Sequence, residues 1–189
     1  MKTILTLLLL LLSSSSFAKF YAQHSISYES YSEDVENTKF GSMGNLLFVG
    51  ASIGGAEKFF FGQSVYIHSF TFNTSASDAG TLSMTEIGPR FIWFLNDRKT
   101  WNISFAWHPF AKGTRTLPSA TASTETTAKS MLAAISYQFP VTKFFYLGAS
   151  LNYYTYAITK DTTAAGVATT VTQKYTHIVP MFDLSFRFK

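Results

Sequence analysis

The sequence predicts an all-β chain, eight antiparallel strands running up and down around a closed transmembrane barrel. Three observations predict it. Apolar and polar residues alternate with a period of two in segment after segment, and the connections between segments are short and long by turns. No stretch of the 189 residues approaches the roughly 20 consecutive apolar residues that a membrane helix needs. Any membrane span must therefore be made of strands.

The chain opens on an export signal. Lys2 supplies a positive start, Ile4 to Leu12 a short apolar run, and Ser16-Phe17-Ala18 a small-x-small cleavage site. Residues 1–18 are thus expected to be a signal peptide and residues 19–189, from Lys19, an outer-membrane β-barrel of a Gram-negative bacterium. Cysteine is absent, so there is no disulfide framework, no thiolate metal site and no lipoprotein anchor.

Eight segments follow, at approximately 19–32, 41–54, 58–72, 81–95, 99–110, 129–141, 143–157 and 173–188. The first sets Phe20, Ala22, His24, Ile26 and Tyr28 on one face against Gln23 and Glu29 on the other. The second ends in the glycine turn Gly54-Gly55-Ala56-Glu57, and the third carries His68. In the fourth, Ile87, Pro89, Phe91, Trp93 and Leu95 oppose Glu86, Gly88 and Arg90; it closes on Asn96-Asp97-Arg98. The fifth is the clearest, with Trp101, Ile103, Phe105 and Trp107 against Asn102, Ser104, Ala106 and His108. The sixth carries Gln138 and ends at Pro140-Val141-Thr142. The seventh sets Leu147, Leu151 and Tyr153 against Gly148, Ser150 and Asn152. The eighth sets Phe182, Leu184, Phe186 and Phe188 against Asp183, Ser185 and Arg187. Large apolar residues on one face and small or polar ones on the other suit lipid outside and a narrow lumen within.

The connections near 33–40, 73–80, 111–128 and 158–172 are longer and polar, whereas the three between them are tight. This is the expected barrel topology, with short turns and both termini periplasmic and long loops outside. The stretches Lys112 to Lys129 and Thr159 to Thr172, rich in Thr, Ala and Ser, read as mobile loops without a core. Glu33, Asp34 and Glu36 in the first loop read as a solvated acidic surface.

Composition agrees. Charged residues are 14% of the chain, against roughly 25% in soluble domains, while aromatics reach 17%. The net charge of +4 comes without a basic run or basic-aromatic interleaving, which argues against nucleic acid as a partner. A soluble lipocalin-like barrel is the competing architecture. It needs Trp101, Phe105 and Trp107 to point inward, where an eight-stranded interior has no space for so many rings.

In this pattern and topology the chain resembles the small eight-stranded outer-membrane proteins, the class of OmpX, the membrane domain of OmpA and OmpW. The alternating aromatic last strand resembles the signal by which the barrel-assembly machinery recognises its clients. Here Lys189 follows the last aromatic, Phe188, whereas the class usually ends on the aromatic.

The expected lumen holds Glu29, Glu86, Arg90, Asp183 and Arg187 with Gln23, Gln138 and Asn152, read as a plug of ion pairs and hydrogen bonds. His68, His108 and His177 are expected inside at similar height, as donors in a polar rim, with a metal site the sharper alternative. A Glu29 to His177 contact is expected where the first and last strands meet. His24 falls on the lipid side, explained by an interfacial position or by a bulge that shifts the register. The pairs His24-Ser25 and His68-Ser69 straddle the two faces of a strand, which no catalytic dyad can use. No catalytic, cofactor-binding or metal residue is assigned, and no cofactor.

The function expected from sequence is therefore non-enzymatic. The external loops carry any specific role, in adhesion, surface interaction or envelope integrity. The alternatives are a narrow pore or transporter for small or hydrophobic solutes, and a lipid-modifying enzyme centred on His24. Expected partners are outer-membrane lipid and lipopolysaccharide, the barrel-assembly machinery, and an unidentified surface partner.

Overall fold

The computed structural model describes residues 19–33, 38–54, 56–75, 78–117 and 122–188. Residues 1–18, expected to be a signal peptide, and Asp34 and Glu36 lie outside the described residues. Eight strands follow one another: β1 (Phe20–Glu33), β2 (Thr38–Ile53), β3 (Phe59–Ser75), β4 (Asp78–Phe94), β5 (Trp101–Thr116), β6 (Thr124–Pro140), β7 (Phe145–Thr162) and β8 (Ala168–Phe188). Each pairs antiparallel with the next, and β8 returns to β1 to close the ring.

The alternation sorts side chains as the sequence predicts. Along β5, Trp101, Ile103, Phe105 and Trp107 stand exposed on the outer wall while Asn102, Ser104, Ala106 and His108 are buried inside. The same division holds in β4, β7 and β8. An outer wall of this kind has a place only in lipid, which excludes the lipocalin-like arrangement. Around the end with the short turns, rings gather outside: Phe59 on Trp93 at 5.6 Å, Trp101 on Tyr137 at 4.9 Å and Phe145 on Phe186 at 5.1 Å between centroids. They form an interfacial girdle.

The expectation of mobile loops at Lys112 to Lys129 and Thr159 to Thr172 is corrected. β5 runs to Thr116, β6 begins at Thr124, β7 ends at Thr162 and β8 begins at Ala168. Threonine is β-branched and fits a pleated ladder without needing a core. These stretches therefore extend the hairpins beyond the apolar wall as paired strands.

The short-turn end carries its own charges. Glu57 and Lys99 sit in the left-handed region at φ 51° and 54°, turning the β2–β3 and β4–β5 connections. Lys99 Nζ donates to Glu57 Oε2 at 2.7 Å, Lys19 pairs with the same carboxylate, and Lys58 meets Asp97 at 2.6 Å. Partial burial pushes the Glu57 carboxyl up, but bonds and charge from Lys19 and Lys99 outweigh it and hold the carboxyl below its ordinary range. Its contribution is thus complete above the ordinary glutamate value of about 4.3. It is lost as pH falls through the lower folded value. Glu57→Gln is expected to cost about 0.5 kcal/mol of unfolding free energy at neutral pH, as partly exposed pairs do. In strong acid the variant should match the parent, which urea titrations across pH will show.

The barrel closes unevenly. β1 and β8 share seven residue pairs, from Phe20–Phe188 to Ile26–Phe182, whereas β1 and β2 share fourteen. The cause is Pro180. Ser52 N donates to the Lys19 carbonyl, towards β2, and Arg187 N donates to the Phe144 carbonyl, towards β7. Even-numbered residues of β1 and β8 therefore direct their backbone groups into the shared seam. The next bonded rung sets Tyr28 against Pro180, which has no N–H to give. The ladder stops one rung below it.

Candidate functional site

The lumen is filled in layers by side chains that the alternation turns inward. At the short-turn end Tyr21, Phe48, Phe60, Ile92 and Phe94 form a buried cluster, with Tyr21 edge-on to Phe94 at 5.6 Å. Gln138 Nε2 donates to the Tyr21 hydroxyl at 2.6 Å, and Gln138 Oε1 accepts from Arg187 Nη2 at 2.8 Å. The Arg187 guanidinium lies 3.8 Å from the Tyr146 ring centroid and 4.4 Å from that of Phe94. It also donates to the Lys99 carbonyl at 2.7 Å, tying the last strand to the β4–β5 turn.

Above this layer lie Arg90 and Asp183. Both are buried inside as expected, yet they form no direct ion pair: each is held by a serine on an adjacent strand. Arg90 Nη2 donates to Ser104 Oγ at 2.9 Å and the guanidinium rests 5.7 Å from the Phe48 centroid. Asp183 Oδ1 accepts from Ser150 Oγ at 3.1 Å. The expected ion-pair plug is at this level a set of neutral partners and a cation over a ring.

The charged centre is Glu86. Its Oε1 accepts from His68 Nε2 at 3.0 Å and from the Tyr154 hydroxyl; its Oε2 accepts from Ser130 Oγ and faces His108 Nδ1 at 3.3 Å. His108 Nε2 in turn meets Ser64 Oγ at 2.9 Å. One carboxylate on β4 thus gathers side chains from β3, β5, β6 and β7. Sequence reasoning placed Glu86, His68 and His108 inside but set no carboxylate beside the histidines. Tyr154, Ser130 and Ser64 were missed, since period two gives the face of a residue and not its neighbours across the lumen.

His177 stands apart from the other two. It stacks on Phe70 at 5.2 Å, Tyr156 at 6.0 Å and Phe40 at 6.4 Å near the long-hairpin end. The expected contact with Glu29 does not form, because the β1–β8 ladder has ended below that level. Glu29 and Arg187 are half-buried, whereas Gln23, Gln138 and Asn152 are fully inside. Among the described residues no three His, Cys, Asp or Glu groups are arranged to hold a metal ion.

His24 does face the outer wall, in an unshifted register between Leu47 and Leu184. No bulge is involved. Its Nε2–H donates to Asn45 Oδ1 at 3.1 Å, so the polar group is paired within the apolar surface. Ser25, the next residue, is buried inside.

Beyond Glu86, at the long-hairpin end, lies a cavity of about 250 Å³ among Phe40, Phe70, Leu82, Tyr156, Tyr175 and His177, with Arg115 in its wall. Arg115 pairs with Asp161 and donates to Gln173. It points inward because of a bulge: the registers of β4 on β5 and β5 on β6 both shift around Pro109 and Phe110, which reverses the faces above them.

No protein-family model matches the chain, and no curated protein matches it. Solved structures do. The β domain of the Bordetella autotransporter BrkA aligns with a TM-score of 0.51 at 6% identity, over 91% of this chain and 98% of that one. Neisserial surface protein A (NspA) aligns at 0.47 and 14% identity, over 90% and 96%. The translocator domain of the autotransporter NalP from Neisseria meningitidis aligns at 0.42 and 12%, over 98% of this chain and 68% of that one. At such identities the likeness is one of fold. With eight antiparallel strands closed in a ring and an apolar wall outside it, the chain has the fold of an integral membrane β-barrel.

Proposed function

We propose that this barrel is non-enzymatic, that its lumen is closed to ions, and that its short turns and both barrel termini are periplasmic. Its specific role then lies in the long hairpins at the cell surface, in adhesion, surface interaction or envelope integrity. The observation that carries this reading is the Glu86 crossbar, which joins five of the eight strands through a single buried carboxylate. A path for ions has to break those bonds, each made to a charged group in a buried layer.

The non-enzymatic reading draws on the same layer. Ser64, His108 and Glu86 have the composition of an acyl-transfer triad, but the Ser64 hydroxyl donates to the Gly88 carbonyl at 3.0 Å. The Ser64 proton is thus directed at a backbone carbonyl and not at His108, where a nucleophile needs it. All three side chains are fully buried. Refolded protein in planar bilayers is expected to be electrically silent while showing heat-modifiable gel migration. Reproducible conductance steps would overturn the closed lumen, and altered vesicle lipids after incubation would overturn the non-enzymatic reading.

A further inference from the structure

The geometry points to a binding site at the long-hairpin end for a single-chain amphiphile, an acyl chain with one hydrogen-bond-accepting head, that enters sideways from the membrane through the seam between β1 and β8. Three independent features carry it. The first is the cavity. Its walls are the rings of Phe40, Phe70, Tyr156 and Tyr175 with Leu82 and Ile158, so its interior is apolar. At about 250 Å³ it lies near the low end of ligand pockets, roughly 300 Å³. That is room for one acyl chain and not for a two-chain lipid.

The second is an unpartnered donor in the cavity wall. Arg115, at 6% exposure, lines the cavity and spends its two terminal nitrogens on Asp161 and Gln173. Its Nε–H has no partner among the described residues. Asp161 already neutralises the guanidinium, so the remaining N–H suits an oxygen acceptor at the end of a chain lying against the rings.

The third is the way in. Pro180 ends the β1–β8 ladder, and above it β8 contributes Tyr175 and His177 to the cavity with no β1 ladder beside it. The residues flanking the opening on the outer wall are apolar and exposed: Tyr28, Ile178 and Phe182. The seam thus begins inside the lipid-facing band. Assignment to the outer leaflet rests on the orientation proposed above; the binding itself does not.

The test uses refolded full barrel in phosphatidylcholine vesicles with a trace of diazirine-bearing fatty acid, irradiated and mapped by peptide mass spectrometry. Adducts are expected on Phe70, Tyr156 and Tyr175, and excess dodecanoic acid should displace them where dodecane does not. Pro180→Val restores the missing N–H and should abolish interior labelling by letting the ladder zip past Tyr28. Leu82→Trp should abolish it by filling the cavity. Unchanged heat-modifiable migration shows that each variant has folded. Adducts confined to the outer wall, at Tyr153, Ile178 and Phe182, would overturn the site. Interior adducts that survive Pro180→Val would overturn the sideways entry, and equal displacement by dodecane would overturn the role of Arg115. Conductance in bilayers with interior labelling intact would count against the closed lumen alone.

Discussion

Glu86→Ala is expected to cost the barrel about 3–5 kcal/mol, the range found when one partner of a buried charged pair is removed. The reason lies in what remains. His68, His108, Tyr154 and Ser130 all direct a nitrogen or hydroxyl at the lost oxygens, and each is buried. Each orphaned donor carries a desolvation cost. Glu86→Gln should lose less, since the amide oxygen still accepts while its NH2 group confronts donors. The three tryptophans, Trp93, Trp101 and Trp107, all lie on the outer wall, so their emission reports the loss of lipid contact during urea unfolding from vesicles. A shift under about 1 kcal/mol for Glu86→Ala would mean that the crossbar is not under load.

Gly88→Ala is expected to be nearly as severe, at or above the roughly 3 kcal/mol upper end of ordinary overpacking. A Cβ there would stand 1.9 Å from the Trp107 carbonyl oxygen and 2.7 Å from the His108 Cα. Both are backbone atoms, so no rotamer change relieves the overlap. The two strands must separate where β4 and β5 shift register, and the Ser64 bond to the Gly88 carbonyl goes with them. Gly41→Ala is the matched control, because nothing lies within 4 Å of its added methyl. Parallel urea titrations should leave Gly41→Ala within about 0.5 kcal/mol of the parent. Equal losses at both sites would show that generic strand propensity, not the close approach at Gly88, sets the cost.

The strands and their facing were legible because lipid imposes one rule on every segment. Phe105 and Trp107 outside and Asn102 and Ser104 inside follow from period two alone, as do the inward positions of Glu86, His68 and His108. What resisted reading breaks the period or crosses the lumen. The bulge at Pro109 and Phe110 sends Arg115 inward, although it shares the odd numbering of the lipid-facing Trp101 to Trp107. Composition made Thr159 to Thr172 look like coil, yet cross-strand pairing, which no single segment displays, makes most of it strand. Asn45 as the partner of His24 depends on the β1–β2 register, which neither segment displays alone. The separation of Arg90 from Asp183 depends on Ser104 and Ser150, partners on adjacent strands that no single segment displays.

The short seam also bears on how the barrel forms. Seven of its eight ladders join strands that are neighbours in sequence, so each can zip from its own connection at modest entropic cost. Only the β1–β8 ladder must bring together the two ends of the chain, Phe20 with Phe188. Non-local pairing of that kind is slow, and its reward comes only after the loop entropy has been spent. By stopping the ladder after seven pairs, Pro180 leaves that last step with few rungs to align and correspondingly few out-of-register ways to close.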